Sequence, residues 1–155
     1  MPDVNPNIAQ HHIDTHAHIV PVKQKSRCLR TEWLFKIKEE VTKELKVGFI
    51  KLVHQAKWIA NVVLVPKKDG KVRMCVDFKY LNKACPKDDF ALPHIDVLVD
   101  NTAGSVLISF IDGFSWYSQI KMAPKDMTKT IFTTKWEIYC DMVMPFGLKN
   151  ASVTY

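Results

Sequence analysis

Residues 105–122 read SVLISFIDGFSWYSQIKM, and the rest of the chain is organised around them. Val106, Leu107, Ile108, Phe110 and Ile111 form an almost unbroken apolar run, the pattern of a strand covered on both faces. Asp112 ends the run and Gly113 follows it. A carboxylate at the end of a buried strand can hold a metal ion, and a glycine behind it lets a large ligand come close. An Asp-Gly pair also makes an ordinary strand-end turn, with the carboxylate capping the backbone. The neighbouring segments decide between these two readings.

On the N-terminal side, residues 58–66 (WIANVVLVP) and 72–78 (VRMCVDF) are both β-rich, and Asp69-Gly70 between them signals a hairpin. In the second strand Val72, Met74, Val76 and Phe78 face one way, and Arg73, Cys75 and Asp77 the other. Lys67, Lys68, Lys71 and Arg73 crowd this hairpin. Lysines there keep an exposed strand pair soluble. They also suit a clamp for phosphates, Lys supplying a point charge and Arg a bidentate fork. Residues 86–90 are turn-like, and 92–100 form a short helix with Pro93 in its first turn and Gly104 past its end. Ile95, Leu98 and Val99 are placed to pack on the central strand. Beyond Met122, residues 124–129 make a helical turn and 130–139 a strand, while 142–151 read as a strand breaking into a loop and a new helix.

Further upstream, Leu34, Ile37, Val41 and Leu45 make an apolar stripe at helical spacing over residues 31–47. Thr31 suits the start of this helix and Gly48 its C-terminal cap, and Glu39 and Lys43 can pair one turn apart. Residues 49–53 form a short strand. Residues 1–30 are polar, rich in Pro and His, and read as an extended arm with little core of its own. Lys23, Lys25, Arg27 and Arg30 in this arm could meet phosphates or simply be solvated. Asp14-Thr15-His16-Ala17-His18, with His11 and His12 nearby, resembles the His-x-His signature of metal-dependent hydrolase barrels. That barrel needs about 250 residues and ligands on later strands, which speaks against the hydrolase alternative.

The 155 residues suffice for one domain or part of a larger one, and 47% hydrophobic with 25% charged residues suits a globular fold. A formal net charge of +6 favours a polyanionic partner. Cys28, Cys75, Cys85 and Cys140 form no CxxC pair, which argues against zinc and for reduced thiols inside a cell. No run approaches the roughly 18 apolar residues of a membrane-spanning helix.

Taken in order, residues 64–82 (LVPKKDGKVRMCVDFKYLN), 110–117 (FIDGFSWY) and 144–151 (MPFGLKNA) resemble the reverse transcriptase of gypsy-type LTR retrotransposons. The lead-in Gln10-His11, residues 21–25 and residues 48–50 match as well, so the resemblance spans nearly the whole chain. It implies an α+β, right-hand polymerase fold in which residues 1–30 are an arm and 31–155 the fingers, with an antiparallel sheet, and part of the palm. The implied activity is RNA-directed DNA polymerisation.

By the same resemblance, Asp112 is the first catalytic aspartate and, with the Gly113 carbonyl, a ligand of Mg²⁺. Lys67 and Arg73 grip the incoming triphosphate. Gly113, Phe114, Ser115, Trp116 and Tyr117 line the nucleotide site, Tyr117 as the gate that excludes a ribose 2′-OH. Phe146 and Gly147 belong to the loop lining that pocket, and Lys149 and Asn150 lie near template and primer. The implied partners are an RNA or DNA template-primer, deoxynucleoside triphosphates and the remainder of a Pol polyprotein (palm, thumb, RNase H, integrase). The implied location is intracellular, in cytoplasmic virus-like particles and the nucleus.

The family's Tyr-x-Asp-Asp segment, source of the other two catalytic carboxylates, is expected beyond Tyr155, so this chain is read as a fragment inactive alone. A non-catalytic, basic nucleic-acid-binding relic is the alternative. Trp116 stands where the family has glycine, and an indole there is expected to crowd the nucleotide. Ser152 replaces a proline or glycine at a helix start, a tolerable change.

Overall fold

A computed structural model describes residues 4–68, 72–86, 94–107 and 117–154. In chain order the elements are β1 (Gln10–His11), α1 (Thr31–Val47), β2 (Ile50–Val53), β3 (Ala60–Pro66), β4 (Val72–Val76), α2 (Lys79–Ala84), α3 (Ile95–Thr102), β5 (Lys121–Met122), β6 (Phe132–Thr133) and β7 (Ile138–Asp141). Short 3₁₀ turns lie at Met127–Lys129 and Ala151–Val153. The main sheet has the order β2-β7-β6-β3-β4, antiparallel except where β3 meets β6. The architecture is α+β, with a mostly antiparallel sheet, as expected.

The hairpin forms between the two expected runs, with Val62 opposite Val76 and Pro66 opposite Val72, and β4 is the edge of the sheet among the described residues. Its tip, Asp69 and Gly70, lies outside the described residues. Helix α1 also has the expected bounds, and Glu39 pairs with Lys43 at 2.8 Å. It ends as the sequence suggests: Gly48 takes φ 80°, a left-handed turn that glycine adopts without strain. Two details of the helix differ. Thr31 is its first helical residue and caps nothing, because the cap position falls on Arg30, whose side chain makes no capping bond. Ile37 and Val41 are buried but Leu45 is exposed. Seven residues drift only about 20° around a helix, so from Ile37 it is Glu44, one place earlier, that stays on the inner face.

The 1–30 arm is extended, and what the sequence did not display is that two of its residues enter the common core. β1 pairs in parallel with β5, Lys23 bridges Ile59, and Asn61 Nδ2 donates to Gln24 Oε1 at 3.1 Å. With backbone groups satisfied this way, Ile13 and His11 sink fully into the core beside Met122 and Ile131. Arg27 pairs with Asp77 at 2.8 Å, which gives that cation a structural partner.

Other expectations fail for local reasons. Residues 130–139 are two strands, since the Thr134 hydroxyl accepts the N–H groups of Trp136 (3.3 Å) and Glu137 (3.1 Å) and closes a turn. The new helix after 142 is only the 3₁₀ turn Ala151–Val153. Helix α3 forms, but Ile95, Leu98 and Val99 are each about half exposed or more, and so do not pack as expected. Val106 and Leu107 are exposed too and belong to no strand. A buried strand needs hydrogen-bonding neighbours and cover on both faces, and no described strand pairs with them. The rest of that apolar run, residues 108–111, lies outside the described residues.

Candidate functional site

A groove of about 350 Å³ opens between the second half of α1, the hairpin edge and the loop after β7. Helix α1 contributes Glu40 and Glu44, the hairpin Lys67 and Arg73, and the segment around β7 Asp141, Met144, Pro145 and Phe146. Strand β4 reaches this position because, among the described residues, no further strand lies beyond it in the sheet. Two of the residues singled out for gripping phosphates, Lys67 and Arg73, therefore share one cavity with Phe146 of the expected pocket loop.

The loop itself is built tightly. The Tyr117 and Phe146 rings lie 4.6 Å apart and tilted by 32°, joining two of the sequence-assigned aromatics in one contact. Gly147 takes φ 93°, where an L side chain would be strained. Asn82 holds the loop from both sides: its Nδ2 donates to the Gly147 carbonyl at 2.7 Å, and the Lys149 N–H donates to its Oδ1 at 2.9 Å. Asn82 is carried on α2, between buried Leu81 and Ala84. Sequence reasoning missed both the helix and this role, because six residues are too few to display a helical period.

Lys149 is exposed and does not line the groove. Asn150 lies elsewhere: its Nδ2 donates to the His12 carbonyl at 2.9 Å, and it borders a separate cavity of about 730 Å³ against the arm. Asp112, Gly113, Phe114, Ser115 and Trp116 lie outside the described residues. These include both residues assigned to Mg²⁺. Among the described residues no group of three or more His, Cys, Asp or Glu could hold a metal ion. The histidines of the suspected metal signature have structural contacts instead. His11 Nδ1 meets the Thr154 hydroxyl at 2.9 Å, His12 lies 3.5 Å from Asp126, and His16 stacks on His18.

The groove's acidic wall was also unanticipated. Burial, with Glu40 adding repulsion, pushes the Glu44 carboxyl from 4.5 up to about 7. Asp141 is held well above the usual carboxylate range by burial and then by Glu44, and its Oδ2 has no hydrogen-bond partner. A single Asp inside the apolar run Ile138-Tyr139-Cys140-Asp141-Met142-Val143 was the available signal.

Comparison with known proteins follows the same lines. Residues 65–155 match the family described as "Reverse transcriptase (RNA-dependent DNA polymerase)". The Transposon Tf2-3 polyprotein of Schizosaccharomyces pombe is 34% identical over 115 residues, covering 73% of this chain and 8% of that polyprotein. An RNA-directed DNA polymerase homolog of Oenothera berteroana is 36% identical over 84 residues, 54% of this chain and 59% of that protein. The chain thus spans a small part of the first relative and little more than half of the second. Among solved structures, a foamy viral protease-reverse transcriptase in complex with double-stranded DNA superposes with a TM-score of 0.68 at 19% identity, covering 94% of this chain and 25% of that one. That similarity establishes the shared fold.

Proposed function

The chain belongs to the reverse transcriptase (RNA-dependent DNA polymerase) family, and we propose that it forms the fingers and first part of the palm of a gypsy-type retrotransposon enzyme. The observation that carries this reading is the meeting of Lys67, Arg73 and Phe146 in one groove, with the Tyr117 ring tilted against Phe146. Lys67 supplies a mobile point charge and Arg73 a planar fork, a pair suited to the oxygens of a nucleoside triphosphate. The Tyr117–Phe146 contact forms an aromatic wall where the sugar would rest, suited to excluding a 2′-OH. Asn82 fixes the loop that presents Phe146, so the wall is set before the ligand arrives. Lys149, exposed beside this loop, would face the template backbone, and Asn150 would stay occupied by the arm.

Reverse transcriptases use a divalent metal ion; in our reading it is Mg²⁺, held at Asp112 and Gly113, where it would neutralise charge on the phosphates. Of the family's three catalytic carboxylates, the chain's own residues match the first, Asp112. Its partners would be template-primer, deoxynucleoside triphosphates and the rest of a Pol polyprotein. Its setting would be intracellular, in cytoplasmic virus-like particles.

Primer extension tests this. Joined to a palm continuation carrying Tyr-x-Asp-Asp, the chain should extend a primer on RNA, and Asp112→Asn should abolish extension. Lys67→Ala and Arg73→Ala should each raise KM for the nucleotide about tenfold or more. An unchanged KM in both would overturn the groove assignment.

A further inference from the structure

We infer that Glu44 and Asp141 form a proton-linked selectivity pair, admitting a triphosphate to the inner end of the groove only when they carry protons rather than charge. This rests on the nucleotide reading of the groove. Both carboxyls line the same groove as Lys67 and Arg73, so an anion gripped by those cations shares the groove with them. Asp141 is more than nine-tenths buried. Its N–H is satisfied by the Thr130 hydroxyl at 3.2 Å, while its Oδ2 lacks a hydrogen-bond partner. Among the described residues no ion pair joins Glu44 or Asp141 to Lys67 or Arg73, so the acidic wall is not neutralised by the basic one.

The charged and titratable groups around the pair come from each packed element. Glu40 lies one turn before Glu44 on α1 and adds repulsion. Arg73 and Cys75 come from β4, and Lys67 follows β3. Lys51 of β2 sits opposite Cys140, next to Asp141. Burial keeps both carboxyls protonated to higher pH than free carboxyls, reinforced at Glu44 by the charge of Glu40 and at Asp141 by that of Glu44. As pH rises through about 7, Glu44 ionises and places a negative charge in the groove that holds the bound anion. Between low-dielectric walls such a charge weakens anion binding by about tenfold or more. Binding of a triphosphate must then hold a proton on the pair, so binding takes up protons near neutral pH.

Calorimetric titration of the 155-residue chain with inorganic tripolyphosphate at about pH 6 and about pH 8, in buffers of different ionisation heat, reads this linkage. Wild type is compared with Glu44→Gln, Asp141→Asn and Lys67→Ala, each checked for folding by circular dichroism. Relative to Glu44→Gln, wild type should lose about tenfold more affinity between the two pH values and take up more protons on binding. Parallel pH trends in wild type and Glu44→Gln would overturn the inference, and Glu44→Gln alone decides if Asp141→Asn does not fold. Parallel trends with binding still lost in Lys67→Ala would sink only the proton link. Absence of binding to wild type at both pH values would sink the groove reading and the inference together.

Discussion

Glu44→Gln should stabilise the protein at alkaline pH and change it little at acid pH. The Glu44 carboxyl is held at about 7 against an ordinary value of 4.5, chiefly by burial against the sheet. Its pKa is raised on folding, so the sign is clear: below the unfolded value both states are protonated and folding bears no penalty. Between 4.5 and about 7 the unfolded chain releases its proton first, and stability is progressively lost. Above that window the loss is constant, and at about 1.4 kcal/mol per pH unit it amounts to about 3 kcal/mol. Glutamine fills the same volume without a titratable charge. Urea unfolding followed by tryptophan fluorescence should therefore show a midpoint about 1–2 M higher for Glu44→Gln than for wild type at about pH 8.5. At about pH 5 the stability gain should shrink to less than about 1 kcal/mol. A gain equal at both pH values, or none at alkaline pH, would refute the claim that Glu44 is a strained buried acid.

Asn82→Ala should destabilise the chain by about 1–2 kcal/mol and speed hydrogen exchange at the Lys149 amide, since both bonds to the Gly147–Lys149 loop are lost. Lys149→Ala, which keeps that backbone bond, should leave amide exchange unchanged. Gly147→Ala should cost about 1–2 kcal/mol through its left-handed backbone; a Cβ there would meet only Phe78 Cδ2 at 4.0 Å, so a lowered melting temperature would report strain, not collision. Ile13→Ala should cost about 2–5 kcal/mol in urea unfolding, because the arm's Ile13 is fully buried. An arm that merely decorated the surface would give almost no change. In the joined polymerase, Trp116→Gly should raise primer extension, and an unchanged rate would dismiss the crowding argument.

The parts of this fold that the sequence displayed were those governed by local periodicity. Helix α1 and the β3–β4 hairpin follow from spacing and from Asp69-Gly70; the helix formed with its expected bounds and the hairpin between the expected runs. The arm misled because its burial depends on partners over 100 residues away: His11 meets Thr154 and β1 pairs with β5. The 130–139 segment misled because one hydroxyl, that of Thr134, outweighs strand propensity. Helix α3 shows the converse, an apolar stripe that is real in sequence and uncovered in the structure. For the site, resemblance placed Lys67, Arg73, Tyr117 and Phe146, and the structure joins them in one cavity and one ring contact. Glu44 and Asp141 escaped notice because their position depends on how α1 lies against the sheet, which no local pattern encodes.

The central claim is that the hairpin cations and the Phe146 loop form one nucleotide site, and equilibrium binding of dATP to the chain tests it most directly. Binding should be saturable, and Lys67→Ala and Arg73→Ala should each weaken it by about tenfold or more, with Lys38→Ala, outside the groove, as a neutral control. Equal binding by wild type and both groove variants, or loss of binding in the Lys38 control alone, would contradict it.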